Sequence, residues 1–221
     1  MDLQDIFLLF GRYLNWLGLG LSVLLLLPLV TLILPDLVHK PSRGLSEFID
    51  RLTGIALEIS IFAAMFLVLI QLTAVLASYA MGLSFTWLSE LVIYGFATLF
   101  MFGSAVALRN SAHVRVDIFR PRFGETGRNW IELTGIYLFL FPIMIRILQT
   151  GEQGLTRAWT IFEGSRETDG LPILFLFKTL LPIFAILMIV QGLSEALKAA
   201  LRLTGHLEPQ TPQSEGAGHG A

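Results

Sequence analysis

Few side chains in this sequence have the type and spacing that chemistry requires. With no cysteine in the chain, disulfides, thiolate metal sites and thiol nucleophiles are excluded. His113 and Asp117 stand one helical turn apart beyond the end of an apolar run. Such a pair can share a proton or offer two metal ligands, but a zinc centre needs three or four. A structural hydrogen bond or a subunit contact is therefore the expected use of His113. Glu90, at the start of the same run, has two readings. It is either a first-turn carboxylate of a helix capped by Thr86, stabilised by the helix dipole at headgroup level, or a contact to another subunit. Arg146 lies inside an apolar run one turn after Pro142, where an isolated charge is costly, so it should snorkel to the outer headgroups or pair across helices. The chain has no Gly-x-Ser-x-Gly and no His-Glu-x-x-His, and it lacks the paired membrane histidines that would hold a haem, so neither a hydrolase nor a haem anchor is indicated.

The elements that must position these residues are membrane helices. The chain is 54% hydrophobic and 14% charged, and its charges collect between long apolar runs. A hydrocarbon layer of about 30 Å needs roughly 20 apolar residues at helical rise. Runs of that kind cover approximately Tyr13 to Leu34, Ile55 to Ser78, Leu88 to Leu108, Trp130 to Gln149 and Leu171 to Leu197. The fold class predicted is an all-α integral membrane bundle of four to five transmembrane helices with an amphipathic helix on the cytoplasmic face. The first run reads as a retained span, because Asp2 and Asp5 replace a basic leader and no small-x-small cleavage site precedes Pro35.

Lys and Arg in short loops mark the cytoplasmic side. Arg109, Arg115, Arg120, Arg122 and Arg128 fall in one connection without a lysine, so that connection should be inside, setting topology and contacting anionic phospholipid. The next connection, Thr150 to Gly170, balances Arg157 and Arg166 against Glu152, Glu163, Glu167 and Asp169 and should be periplasmic. Lys198 and Arg202 then bring the C-terminus to the cytoplasm. A net charge of −2 gives no reason to expect nucleic acid as a partner.

Between Pro41 and Gly54, Leu45, Phe48, Ile49 and Leu52 recur at helical spacing opposite Arg43, Glu47, Asp50 and Arg51. That pattern predicts an amphipathic helix on the inner membrane surface. Four divisions follow: 1–35 an N-terminal hydrophobic helix, 36–54 the amphipathic segment, 55–203 a four-helix membrane domain, and 204–221 a disordered tail. The tail is expected because a Gly, Pro, Gln and Ser composition cannot repay ordering entropy. Interior polar residues and Gly-Pro interruptions are sparse in the apolar runs, and no inverted repeat is evident. Both features count against a carrier with its own binding site.

One ordered set of residues points to a family. Trp87, Leu88, Ser89 and Glu90 open a helix with Gly103, Ser104 and Ala105 at its centre, followed by Arg109, His113, Val116 and Asp117, and Gly170, Leu171 and Pro172 open the last run. This combination resembles the small membrane subunit (DctQ type) of tripartite ATP-independent periplasmic (TRAP) transporters over roughly Ile55 to Leu201. Each part alone is weak, and the order makes it specific. The family plan is four helices, so the run Tyr13 to Leu34 is an addition to it.

The resemblance implies a bacterial inner-membrane protein without enzymatic activity or bound cofactor. It implies two partners: a large membrane subunit (DctM type) holding a sodium-coupled, elevator-type transport domain, and a periplasmic substrate-binding protein (DctP type) that delivers a carboxylate. The small subunit would widen and anchor the scaffold. Gly103 and Ala107, with Trp87 and Glu90 at the outer end and Arg109, His113 and Asp117 at the inner end, form the expected subunit contact, since small residues let helices approach closely.

Overall fold

The computed structural model describes residues 24–110 and 124–208. Every described element is a helix: α1 (Leu27–Ile33), α2 (Pro35–Met81), α3 (Thr86–Arg109), α4 (Gly124–Gly135), a π-helical turn (Ile136–Leu140), α5 (Phe141–Thr160) and α6 (Leu174–Leu203). The α4, π and α5 segments run on as one helical body, and α2, α3, this body and α6 are the four helices long and apolar enough to cross a membrane. The fold class read from the sequence is therefore the one observed.

Prolines and glycines set the boundaries. Pro28 and Pro35 stand in the first turns of α1 and α2, where the missing N–H is no loss and the fixed φ favours helix. Leu34 between them leaves helical geometry at φ −128° and ψ 63°. Gly82 closes α2 in the left-handed region at φ 65°, and Leu83 donates its N–H to the Ala77 carbonyl at 3.0 Å, the usual way to satisfy late helix carbonyls. Residues 1–23, which include the start of the first apolar run, lie outside the described residues. The described part of that run includes the seven-residue α1, whose Leu27 and Leu32 pack on the main core together with the preceding Leu24 and Leu25.

α2 departs from the sequence reading. The amphipathic segment and the span after it are one helix of 47 residues without a break at Gly54. At 1.5 Å per residue this is about 70 Å, more than twice a hydrocarbon layer. The cause is a buried stripe that keeps phase through the glycine: Ser42, Ser46, Ile49, Thr53, Ala56, Ser60 and Ala63 alternate steps of four and three, the spacing of a helix seam. The apolar face foreseen for the membrane is accordingly divided. Ile49 is in the core and Leu45 packs against it, while Phe48 and Leu52 remain exposed.

α6 is the hub and packs against every other described helix. Its C-terminal half is buried almost all round, from Met188 to Leu201, and forms the core with Ile49, Leu133, Ile136 and Phe141. Gly192 allows the closest approach. A Cβ there would stand 2.8 Å from Leu140 Cδ2 and 3.2 Å from Phe141 Cε1, so a larger residue would make both side chains shift. Pro142, two residues beyond that turn, has no N–H to give to a preceding carbonyl, and widened turns of this kind accommodate such losses.

Candidate functional site

Glu90 turns its carboxylate toward its own chain. Its helix begins after Phe85, which has extended backbone and no side-chain cap, so Thr86 is the first helical residue and not the cap. The half-buried carboxylate reaches across to the connection between α5 and α6. Ser165 Oγ donates to Glu90 Oε1, and the Leu171 N–H donates to Glu90 Oε2 at 2.7 Å. Ser165 Oγ also accepts from the Glu167 N–H at 3.1 Å, and the Ser165 N–H donates to the Leu171 carbonyl at 2.9 Å. A carboxylate with two donors is the strong type of hydrogen-bond centre. Glu90 thus clasps the connection between α5 and α6 shut.

The glycine of the Gly-Leu-Pro sequence explains itself in this geometry. A Cβ on Gly170 would lie 2.1 Å from Ser165 Oγ and 2.8 Å from Glu90 Oε1, and one on Gly164 would lie 3.3 Å from Pro172 Cα. The sequence reading saw Trp87-x-x-Glu90 and Gly170-Leu171-Pro172 as two signatures. They are the two halves of one contact. The rest of the connection is tied down as well: the Glu163 N–H donates to the Ala158 carbonyl at 2.9 Å and the Phe175 N–H to the Glu163 carbonyl at 3.0 Å. Lys178 donates to the Glu163 carboxylate, and that hydrogen bond holds the Glu163 carboxyl below the ordinary carboxylate range against the opposing effect of desolvation. Tyr94 of α3 stacks on Phe177 of α6 with ring centroids 4.4 Å apart. Trp87 remains partly exposed beside Phe85, 5.9 Å between centroids.

The small-residue face of α3 is occupied from within the chain. Gly95 faces Leu67 and Phe66 of α2, and the nearest atom to a Cβ at Gly103 would be Ser60 Oγ at 3.7 Å. Ala107 is half-buried in the next turn, and Arg109 is half-buried at the C-terminal end of the helix, its Nη1 4.0 Å from a Cβ placed on Gly54. Close helix approach at Gly103 is therefore real, and the neighbour is α2. His113, Asp117, Arg115, Arg120 and Arg122 lie outside the described residues. Arg128, on α4, is half-buried. Arg146 is exposed on α5 and, among the described residues, has no ion-pair partner.

A second polar centre escaped the sequence reading. In the C-terminal half of α6, Gln191 Nε2 donates to Asp50 Oδ1 at 3.1 Å and to Glu195 Oε1 at 3.2 Å. Thr53 Oγ1 donates to Gln191 Oε1, and Ser194 Oγ donates to Asp50 Oδ1 at 2.9 Å. Lys198 Nζ closes the network at 2.8 Å from both Asp50 Oδ2 and Glu195 Oε1. Removing one member would leave a desolvated charge, so the network ties α2 to α6 more by the penalty of breaking it than by its net attraction. Its signal was present: Gln191, Ser194, Glu195 and Lys198 stand at i, i+3, i+4 and i+7, and Ser46, Asp50 and Thr53 match them on α2. Asp50 had been assigned to a solvated face.

Both polar centres join helices or connections of this chain; among the described residues no group of three or more His, Cys, Asp or Glu could hold a metal. No curated protein and no solved structure matches the chain. The family described as "Tripartite ATP-independent periplasmic transporters, DctQ component" matches residues 67–202, a stretch that takes in Glu90, its clasped connection and all of α6 up to Arg202. With its α-helical membrane architecture and its paired Trp-x-x-Glu and Gly-Leu-Pro elements, the chain belongs to the DctQ family of TRAP transporter components.

Proposed function

We propose that this chain is the small permease subunit that scaffolds a large, elevator-type membrane subunit (DctM type) during sodium symport of an organic acid, a dicarboxylate or a related carboxylate, delivered by a periplasmic binding protein (DctP type). The observation that carries this reading is where the interior polar groups go. Asp50, Gln191, Ser194, Glu195 and Lys198 bind one another, and Glu90 binds its own connection. A carrier needs polar groups and broken helices turned toward a passing ion near the midplane; here they are spent on fixing helix positions. A static body of this kind suits a scaffold against which a moving domain works. In this reading the connection closed by Glu90 faces the periplasm, the arginine-bearing connection and the C-terminus face the cytoplasm, and phospholipid surrounds the exposed apolar faces.

The test is uptake of labelled carboxylate by proteoliposomes under an inward sodium gradient with the binding protein present. Vesicles with both membrane subunits should accumulate substrate, and vesicles with either subunit alone should not. Uptake by this chain alone would overturn the scaffold reading.

A further inference from the structure

α5 is amphipathic, and its polar face points away from the bundle. Phe141 and Ala158 are buried toward α6, with Met144 and Leu148 against the same core. The opposite face carries Arg146, Gln149, Thr150, Gln153 and Arg157, all exposed, at spacings of three and four that keep them in one stripe.

The register of this stripe is fixed at both ends. Trp159 Nε1 donates to Thr179 Oγ1 at 3.0 Å, and Phe141 Cε1 would meet a Cβ on Gly192 at 3.2 Å. α5 therefore lies along Phe175–Gly192, the apolar part of α6. That part is itself level with α3, through the Tyr94–Phe177 stack. At this depth α6 exposes Leu176, Leu181 and Ile186, and α3 exposes Phe96 and Phe100, each between 40% and 60% accessible. Neighbouring helices thus turn apolar side chains outward where α5 turns Arg146, Gln149 and Gln153 outward; Arg157, near the end of the helix, helps to hold the Glu163 carboxyl low. Lipid cannot satisfy such groups, and Arg or Gln facing hydrocarbon is among the costliest arrangements a span can have.

We propose that the Arg146–Arg157 stripe is the seat of a membrane helix of the large subunit bearing carboxylate and hydrogen-bonding side chains. The charge of the stripe selects that chemistry: its ends are cationic and its middle offers amides and a hydroxyl. This rests on the subunit reading above and places the contact on α5, whereas Gly103 has Ser60 of α2 beside it. Interhelical polar contacts in a bilayer are individually modest, so the stripe acts through several groups together.

The experiment uses the assembled complex in membranes, with a tag on the large subunit. Gln153→Leu makes the stripe better suited to lipid and worse suited to a polar partner. It should lower recovery of the large subunit roughly three- to tenfold, as should Arg146→Glu, while Arg146→Lys restores it. A photo-crosslinking residue at position 153 should give a product containing the large subunit, and one at Leu181 should not. Unchanged recovery with Gln153→Leu, or a cysteine at Gln153 that reacts with an impermeant maleimide in the intact complex, overturns the proposal by placing the stripe against lipid or water. If the unaltered chain fails to recover the large subunit, the subunit reading falls and takes this one with it.

Discussion

At the residue scale, Glu90 and Gly170 act as a pair. Glu90→Ala leaves Ser165 Oγ and the Leu171 N–H without their acceptor, and hydrogen bonds to a charged group are worth about 1.5–3 kcal/mol each. The expected outcome is faster proteolysis between Glu163 and Pro172 in proteoliposomes, with overall helicity unchanged; Glu90→Gln, which keeps one acceptor oxygen, should fall between. Gly170→Ala should resemble Glu90→Ala, because its methyl occupies the place of Ser165 Oγ. Equal cleavage rates in all four proteins would contradict the clasp. Glu163 makes the same connection sensitive to acid. Its carboxyl is held low chiefly by the hydrogen bond from Lys178, so the ion pair contributes fully above the ordinary glutamate range and is lost as pH falls through the depressed native value. A spin label at Thr168 should stay ordered through pH 5 and gain mobility only in stronger acid, and Lys178→Met should remove that step.

At the element scale, glycines decide how near the helices stand. Gly192→Ala forces Leu140 and Phe141 away from α6, and overpacking of that sort costs about 1–3 kcal/mol. A lower thermal midpoint in detergent, for the isolated chain, is the expected result. Gly103 behaves differently by size: a methyl meets Ser60 at ordinary contact distance, so Gly103→Ala should be tolerated and Gly103→Leu should separate α2 from α3. Because the neighbour is within the chain, Gly103→Leu should lower the midpoint of the small subunit alone. A loss of large-subunit recovery with an unaltered midpoint would instead return the contact to α3.

At the scale of the whole molecule, the two ends of the bundle differ in kind. The outer end is closed by the Glu90 clasp and by aromatic pairs such as Trp159–Phe175 and Phe162–Phe175. The inner end carries the ion pairs of Lys198 with Asp50 and Glu195, and of Arg202 with Glu132. In the proposed orientation, which rests on the arginine asymmetry, these ends face periplasm and cytoplasm. Since the chain has no native cysteine, single cysteines at Ser111 and Thr160 give a direct check: an impermeant maleimide should reach position 160 from outside and position 111 only after the membrane is opened. Labelling of position 111 in intact cells would reverse the orientation.

Apolar runs, loop charges and two short signatures were enough to reveal the α-helical membrane class and the family, because a bilayer demands long uncharged helices whatever their partners. Local spacing does not say which polar residue on one helix meets which on another. Only the tertiary structure showed that Glu90 answers the Gly-Leu-Pro connection, and that Asp50 turns to Gln191 and Lys198 and away from water. It also showed that Gly103 lies beside Ser60 of α2. The long α2 itself lies between the two cases. Its small-residue stripe is written in the sequence from Ser42 to Ala63, but Gly54 and the change in composition there concealed it. A glycine within a helix is disfavoured by only about 1 kcal/mol, and packing along α3 and α6 overrides a local preference of that size.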